Sequence, residues 1–590
     1  MCRIAGIVDR GNNNIGNDIV AMRDSMAHGG PDSAGVYINE ARAIALGHRR
    51  LSLIDLSDAG SQPMHSTDGR LVIVFNGEIY NYLELKKELE TLGQVFTTHT
   101  DTEVIIAAYR QWGIDSFKKL KGMFAFALYN TAKDELLLVR DQQGIKPLYY
   151  YIDNDKLYFA SEIRAFKTLG RWAERSDWKI YFLTYGYLPE PVTTLQGVKP
   201  LPKGTCLVVN VQTLGAKPVV FDETNYEAKI TDLPTAIEAV RETLTLAVRR
   251  HMISDAPIGL FLSGGIDSSL LTLIAHQSGH KDLHTLSIVF EEEDFSEAPY
   301  QNIIAKKTGA HHKPFTLTKE QFVAAMSDIL KAMDQPTADG VNTYFICGYA
   351  KQYGLKAVLS GLGADELFGG YASFNREDMI ASMQKIPAPV LKMASYLPQD
   401  KYRKVSFLSR KDAVGEYLFH RGFFHTGETA RILNADIRQV SEALQEVHTP
   451  AFVDALPYGN KVSYLESNLY MQCQLLRDTD MMSMWHSIEV RVPYLDTDLV
   501  NLANSIAPSV KFNSKQIKHL LIESFADILP EEIWNRKKQG FVFPFQRWME
   551  GNENKSFKKA DARISARYKS GKLNWSRYWA YLIANNYEVA

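Results

Sequence analysis

The pattern of apolar residues changes near Leu233, and this change constrains the fold more than any other sequence feature. Before it, short runs such as RLVIVFNG and MFAFALYN are separated by Gly, Asn and Asp, which is typical of strands. After it, apolar runs alternate with helical patterns, which indicates a buried parallel sheet. We therefore predict a layered α+β domain at residues 2–211, a linker at 212–232, and an α/β domain with a largely helical C-terminal part at 233–590.

Helical periodicity refines this prediction. In the first half it predicts helices at residues 82–91 and 102–112, with Asp101 placed to cap the second. In the second half it predicts helices at residues 235–251, 268–276 and 298–308, each followed by an apolar run.

Composition and charge exclude several classes of function. A chain of 590 residues, with 45% hydrophobic and 23% charged residues, is ordinary for a globular protein of two or more domains. Its net charge of -2 predicts no strong attraction to nucleic acid or to anionic membranes. There is no apolar run of ~20 residues, no signal sequence, and no metal-finger spacing among the four cysteines. We expect a cytoplasmic protein that acts on small molecules, with a homodimer left open.

Cys2 is the first candidate for catalysis. If the initiator methionine is removed, Cys2 carries a free α-amine with a pKa near ~8, which can accept the thiol proton. One residue then supplies both nucleophile and base. The alternative is that Cys2 is a small buried hydrophobic residue.

Several polar residues in nearby motifs together describe a pocket for a zwitterionic amino acid. Arg50 offers a planar fork for a carboxylate, and the Asn76 amide with the Gly77 N–H can form an oxyanion hole. Glu78 and Asp101 can hold a substrate ammonium. Taken singly, each residue is equally explained as a solvated charge or a turn former.

A second group of polar residues surrounds the segment LSGGIDSS, which lies between an apolar strand and a helix. Backbone N–H groups of such a glycine-rich turn can cradle phosphate oxygens. The GK[ST] ending of a Walker A loop is missing. Asp267 can ligate Mg²⁺, and Asp365 in SGLGADELFGG is the natural second carboxylate.

These motifs occur in the order of a known family. With the N-terminal Cys, RLSLIDL, FNGEIYNY, DTEV, GMFAFALY, RDQQGIKPLYY and FASEI, the chain resembles class II glutamine amidotransferases. It is most similar, over nearly its whole length, to the glutamine-hydrolysing asparagine synthetases. The resemblance implies an N-terminal-nucleophile glutaminase sandwich followed by a pyrophosphate-loop ATPase domain. It also implies that Cys2 is the nucleophile, that Asn76 and Gly77 form the oxyanion hole, and that Arg50, Asn76, Glu78 and Asp101 bind glutamine.

The resemblance also implies an ATP site in the second domain. Asp267 and Asp365 would hold Mg²⁺, and Lys538 would support the acyl-adenylate and the amide-forming intermediate, although it is equally explained as an exposed lysine. The residues expected around ATP are Phe261, Ser263, Gly264, Gly265, Asp267, Ser268, Ile288, Ser360 and Gly361.

The chain departs from the family pattern at three positions. Gly29 replaces the arginine of RHRGPD, and Gln142 replaces an arginine of RDRxGxKPLYY. Neither touches the nucleophile, but the Gly29 change leaves open how glutamine binding is coupled to the second site. Leu362 stands where enzymes that act on aspartate typically have the glutamate of SGEGSDE.

The Leu362 change leaves the carboxylate acceptor open. A glutamate at this position can hold a substrate ammonium or take a proton from ammonia, whereas leucine can do neither. Glu489 is a candidate to cover that role in the acceptor site, or else it pairs with Arg491 or Arg477.

The resemblance implies a two-step reaction. Cys2 releases ammonia from glutamine, the second domain adenylates a carboxylate with ATP, and ammonia, led through a sealed route, converts it to an amide. Aspartate is the default acceptor and another carboxylate is the main alternative. A β-lactam-synthetase-like cyclase is disfavoured because the glutaminase residues are intact. A catalytically silent relative is disfavoured because the phosphate loop is intact.

Overall fold

The computed structural model describes residues 2–292, 296–513, 515–537, 543–549 and 561–587. Its N-terminal part contains two six-stranded antiparallel sheets, ordered β10-β8-β9-β1-β3-β2 and β12-β11-β7-β6-β5-β4. The strands are β1 (Arg3–Asp9), β2 (Ser33–Asn39), β3 (Ile44–Arg50), β4 (Met64–His65), β5 (Leu71–Ile79), β6 (Gly122–Asn130), β7 (Glu135–Arg140), β8 (Tyr149–Ile152), β9 (Lys156–Ala160), β10 (Lys199–Pro200), β11 (Thr205–Asn210) and β12 (Ala216–Val220).

Helices cover the outer faces of both sheets. Ile4 and Val74 belong to a core between the sheets, whereas Ile19 packs on the outer face of the first sheet and Val104 on that of the second. Every residue of β5 is buried because one face of the strand meets the other sheet and the opposite face meets helices. The predicted layered sandwich is confirmed. Its helices are α1 (Ile15–Asp24), α2 (Tyr82–Thr91), α3 (Asp101–Trp112), α4 (Ile163–Lys167) and α5 (Trp178–Tyr185).

The start of α3 differs from the prediction by one residue. Thr100, not Asp101, is the N-cap, and its hydroxyl accepts from the Glu103 N–H. Asp101 is the first helical residue, and its carboxylate accepts from the Ile79 N–H at 2.9 Å. The prediction that Asp101 caps the helix is therefore wrong, because its side chain is used to join the helix to the end of β5.

The segment between the two domains is partly structured. Residues 216–220, which were predicted to belong to the linker, form β12, and Val209 of β11 pairs with Ala216. The remaining linker includes a bridge between Ile230 and Ile506. The strands of the first domain therefore extend about nine residues beyond the predicted boundary at residue 211.

The second domain contains a parallel sheet ordered β15-β14-β13-β16-β17 within the described residues. The chain passes from β13 outwards through β14 and β15, then returns to the other side of β13 as β16. Ligands bind at such a switch point, beyond the carboxyl ends of the strands. The strands are β13 (Ile258–Phe261), β14 (His284–Phe290), β15 (His311–Leu317), β16 (Ala357–Leu359) and β17 (Glu489–Arg491).

The rest of the second domain is mainly helical, as predicted. Between α18 (Tyr458–Leu465) and α19 (Arg477–Trp485), the helix continues as an eleven-residue π-helix, Glu466–Leu476. None of the helices that the structure describes is long and apolar enough to cross a membrane. The helices are α6 (Leu233–His251), α7 (Ile266–Gln277), α8 (Ala298–Thr308), α9 (Lys319–Ala332), α10 (Val341–Gln352), α11 (Ala364–Phe368), α12 (Glu377–Gln384), α13 (Ala388–Met393), α14 (Asp400–Arg403), α15 (Ala413–Arg421), α16 (Thr426–Leu433), α17 (Ile437–Ala443), α18 (Tyr458–Leu465), α19 (Arg477–Trp485), α20 (Thr497–Ser505), α21 (Pro508–Lys511), α22 (His519–Ser524), α23 (Glu531–Trp534), α24 (Phe545–Trp548), α25 (Ala562–Lys569) and α26 (Trp575–Asn586).

Candidate functional site

Cys2 and Asn76 lie side by side in the first domain. The Cys2 N–H donates to the Asn76 Oδ1 atom at 3.2 Å, and Asn76 is fully buried on β5. Among the described residues the Asn76 Nδ2 atom has no hydrogen-bond partner, although burial makes an unsatisfied donor costly. A donor kept unsatisfied beside a thiol is suited to an oxyanion that forms only during reaction. Burial raises the pKa of the Cys2 thiol above its usual value.

Gly77 follows Asn76 at a place where no side chain fits. A Cβ atom on Gly77 would lie 2.1 Å from the Met123 carbonyl oxygen on β6. The pairing of β5 with β6 therefore requires glycine at the position after Asn76.

Arg50 and the two predicted acidic residues lie around the same site. Arg50 is buried, and its guanidinium donates to the carbonyl oxygens of Asp55 and Ser57 at 2.5 and 2.7 Å, which holds it in one orientation. Burial raises the pKa of Asp101 to about 7. Burial, Glu489 and Asp101 raise the pKa of Glu78 well above its usual value.

Glu489 lies between the two domains rather than in the cavity of the second domain where ATP is predicted to bind. It is fully buried and accepts from the Arg491 Nε atom at 2.5 Å, and an Arg491 Nη2 atom lies 4.0 Å from Glu78. Val490 lines the pocket of the second domain, so its neighbours on β17 face the opposite side. The prediction that Glu489 faces the acceptor cavity is therefore not supported by its position. The predicted pairing with Arg491 is observed.

The space beside Gly29 is occupied by another arginine. A Cβ atom on Gly29 would lie 2.7 Å from Cγ of Arg3. The Arg3 guanidinium is fully buried, with Nε 2.5 Å from Glu162 and Nη1 2.9 Å from Asp480 of the second domain. Lys146 also binds Asp480, at 2.6 Å. The residue next to the nucleophile thus forms a direct ion pair with the second domain.

Gln142 is buried in the first domain, away from these ion pairs. Its Nε2 atom donates to the Leu120 carbonyl oxygen at 3.1 Å. It therefore fixes the chain that leads into β6 through a neutral hydrogen bond, a role that does not require a charge.

The nucleotide pocket is a cavity of about 270 Å³ at the carboxyl ends of β13, β14 and β16. Most of the residues predicted around ATP line it, and Leu362 lies there as well. Gly264 and Gly265 form the adjoining loop at the N-terminus of α7. The predicted residues that line the cavity are Phe261, Ser263, Asp267, Ser268, Ile288, Ser360, Gly361 and Asp365.

The loop that precedes α7, which is predicted to bind phosphate, is held in one conformation. The Ser263 N–H donates to the Ser268 hydroxyl at 3.1 Å, which closes the turn. Gly264 has a φ of +82°, a conformation that L side chains rarely adopt. Arg536, which the sequence analysis did not identify, donates to the Gly264 carbonyl oxygen at 3.0 Å.

The two predicted metal ligands converge on one cation. Lys518 Nζ lies 2.5 Å from both the Asp267 and the Asp365 carboxylates. Burial lowers the pKa of Lys518, but the two carboxylates outweigh this effect and leave it above its usual value. In the described part of the chain no group of three or more His, Cys, Asp or Glu residues could hold a metal ion. Lys518 was missed because nothing in its local sequence indicates this contact, and Lys538 lies outside the described residues.

Leu362 packs against an apolar core. The carboxyl group of Glu366 lies close to Leu362 in the chain. Glu366 also lines the nucleotide pocket and is nearly fully buried. Burial, with the neighbouring Asp365, raises the pKa of Glu366 to about 8, and Tyr371 donates to it at 2.5 Å. Glu366 is therefore a protonatable group one helical turn beyond Leu362.

Both halves of the chain match known protein families. Residues 1–220 match the family described as "Glutamine amidotransferase domain", and residues 239–569 match "Asparagine synthase". The chain is 33% identical to an asparagine synthetase (glutamine-hydrolysing) of Bacillus subtilis, over 91% of this chain and 85% of the relative. A putative asparagine synthetase of Mycobacterium bovis is 31% identical, over 90% and 84%.

A more distant relative carries a different name. A protein of Gibberella zeae named "Amidase chry2" is 27% identical, over 90% of this chain and 85% of its own length. The relatives thus share the two-domain arrangement over most of their length. On these matches, the chain belongs to the asparagine synthase family and is a glutamine-dependent, carbon–nitrogen bond-forming ligase.

Proposed function

We propose that the chain uses ammonia from glutamine to convert a carboxylate, activated by ATP, into an amide. The observation that carries the proposal is that two candidate sites lie in one chain, one on each side of β17. Glu489 and Arg491 face Glu78 of the first site, and Val490 lines the second.

In the first site, Cys2 attacks the glutamine amide. With Met1 removed, the Cys2 nitrogen is an α-amine that takes the thiol proton. Asn76 Nδ2 and the Gly77 N–H would stabilise the oxyanion, Arg50 would bind the carboxylate, and Asp101 with Glu78 the ammonium. Ammonia leaves, and water hydrolyses the thioester to glutamate.

In the second site, a carboxylate oxygen of the acceptor attacks the α-phosphorus of ATP and pyrophosphate leaves. Asp267 and Asp365 are the residues that would hold Mg²⁺, whose charge would offset that of the phosphates. Lys518, already held by both carboxylates, would add a positive charge there. Ammonia then attacks the acyl carbon, AMP leaves, and a proton is released. Lys538 stays a predicted contributor to this step.

The acceptor has two candidates. Aspartate is the reference acceptor, because several relatives are named as asparagine synthetases and asparagine is the amide of aspartate. A different carboxylic acid is favoured by Leu362, which lines the nucleotide pocket and cannot bind a substrate ammonium. The homodimer and the cytoplasmic location also stay predictions.

The Cys2→Ala variant tests the two-site scheme. We expect amide formation with glutamine to be lost and amide formation with ammonium salts to be retained, because the second site is unchanged. Product amide is measured with each nitrogen source, and Cys206→Ala, a buried cysteine remote from the site, is the matched control. Retention of both activities, or loss of both, would contradict the scheme.

A further inference from the structure

A second cavity, of about 530 Å³, adjoins the nucleotide pocket. Asp339, Asn342 and Tyr371 line both cavities, so a molecule in the second one can present a group to the nucleotide. We call this cavity the basic chamber, and its characteristic lining residues are Tyr185, Tyr187, Arg376, Lys404, Tyr417 and Arg421.

The size of the basic chamber exceeds what aspartate needs. Pockets of ~300–1,000 Å³ hold ligands of drug size. The nucleotide pocket already provides a separate volume of about 270 Å³. The chamber is therefore matched to a molecule several times larger than an amino acid.

The charge of the basic chamber is unbalanced. Four cationic residues line it against two acidic ones, Asp339 and Glu466, among the residues that the structure describes. Glu466 is engaged by Arg421 at 2.7 Å. The four cationic residues are Arg376, Lys404, Arg421 and Arg577.

Two of these cations are not neutralised. Within the described residues, the Lys404 ammonium makes neither a hydrogen bond nor an ion pair, and the Arg376 guanidinium has a hydrogen-bond contact only with the His420 ring, at 3.2 Å. Burial and the neighbouring arginines lower the pKa of Lys404 to about 8 and that of His420 to about 3. Positive charge kept together in this way at an energetic cost is typical of a site for anions.

The basic chamber is also lined by aromatic residues. Tyr185 and Tyr417 stack at 6.2 Å between ring centroids, and Tyr187 and Tyr417 share a hydrogen bond of 2.6 Å. The Tyr185 hydroxyl is buried, at 2% exposure, and has no hydrogen-bond partner in the described structure. Tyr470, on the π-helix, stacks on Arg421 at 3.6 Å, and such helices are frequent at functional sites. Flat aromatic faces beside an unsatisfied hydroxyl suit a ring that carries polar groups.

We infer that the basic chamber binds the carboxylate acceptor, and that this acceptor is a ring-containing acid with at least one anionic group besides the carboxylate that is activated. The inference rests on the proposed function, because it places the acceptor beside the same nucleotide pocket. One carboxylate reaches the nucleotide past Asn342, the ring lies along the tyrosines, and the second anion meets Arg376 and Lys404.

Binding of a probe acid tests the inference without requiring turnover. Benzene-1,3,5-tricarboxylate supplies a ring with three carboxylates, and benzoate supplies the ring with one. By calorimetry in the presence of ATP, we expect the tricarboxylate to bind at least tenfold more tightly than benzoate. The double variant Arg376→Met/Lys404→Met should lose roughly tenfold or more of this affinity. ATP affinity, which reports on folding of the neighbouring pocket, should stay unchanged.

Two controls separate the inference from its alternatives. Lys385→Met/Lys392→Met removes two exposed cations outside the chamber and should change nothing. Tyr185→Phe removes only the unsatisfied hydroxyl and should weaken binding a few-fold. Equal binding of benzoate and the tricarboxylate, or equal binding by wild type and the chamber variant, would overturn the inference.

Pyrophosphate exchange into ATP distinguishes failure of the inference from failure of the proposed function. If the chamber variant leaves pyrophosphate exchange with aspartate unchanged, the inference is overturned and the proposed function is kept. If pyrophosphate exchange with the tricarboxylate is lower in the chamber variant than in the wild type, both the inference and the proposed function are supported. If no carboxylic acid supports exchange and Cys2→Ala has no effect on amide formation, the proposed function itself fails.

Discussion

The glutaminase site and the basic chamber differ in how they are built. Cys2, Asn76 and Gly77 lie on or next to paired strands, and each is fixed by a backbone contact or by a lack of space. The basic chamber is lined by side chains from segments far apart in the chain, between Tyr185 and Arg577. The comparison indicates that the glutaminase site depends mainly on local backbone geometry, whereas the basic chamber depends on how distant segments pack.

The largest expected effect comes from the unsatisfied donor in the glutaminase site. Asn76→Ala removes the side-chain N–H that would stabilise the oxyanion, and loss of one such donor lowers kcat about 10²–10³-fold. Glutamate release from glutamine measures this effect. Amide formation from ammonium salts should be unchanged, and the exposed variant Asn17→Ala is the control. A fall of less than tenfold would mean that Asn76 has only a packing role.

Breaking the ion pairs of Arg3 should give the next effect. Arg3→Met leaves Glu162 and Asp480 buried with one cation fewer, so we expect the free energy of unfolding to fall by about 3 kcal/mol. Urea denaturation, followed by the accessibility of the Cys2 thiol, measures the change. Arg23→Met, which removes an exposed pair with Asp24, should cost below about 1 kcal/mol. Equal costs for the two variants would show that the domain contact is not held by Arg3.

The dependence on pH should be smaller, and for glutamine hydrolysis it should follow the ionisation of Asp101. Because the pKa of Asp101 is raised to about 7, its carboxyl is protonated below that pH and ionised above it. Only the ionised form attracts the glutamine ammonium, so kcat/KM for glutamine should fall up to roughly tenfold per pH unit below about 7. Asp101→Asn should give a lower value with a flatter profile. A wild-type profile that is flat between pH 6 and 8 would exclude this role.

The smallest effect is expected at Leu362. A variant at this position tests whether the second site can be made more favourable to aspartate. Leu362→Glu restores a carboxylate that can bind the ammonium of aspartate, but the cost of placing it beside an apolar core offsets part of the gain. We expect a few-fold rise in pyrophosphate exchange with aspartate. Leu362→Gln, of equal size and without charge, should show no rise. An equal rise in both variants would assign the effect to shape.

Much of the glutaminase site could be predicted because its signals are local. RLSLIDL, FNGEIYNY and DTEV each carry their candidate site residues within a few positions, and the packing of the two sheets against each other brings Asn76 to Cys2. The same is true of SGGIDSS at the start of α7. The incorrect N-cap at Asp101 and the strand at residues 216–220 show the limit of local patterns, because both depend on which neighbour a backbone group finds.

By itself, the sequence determined the two-domain order and the strand and helix types, which follow from short-range spacing. Its resemblance to a known family supplied the candidate residues of both sites. Only the tertiary structure decided that Arg3 fills the space beside Gly29, that Lys518 joins Asp267 to Asp365, and that Glu489 faces the first site. It also assembled the basic chamber. The physical reason is that an ion pair or a cavity depends on distances between residues hundreds of positions apart, which packing sets and spacing along the chain does not encode.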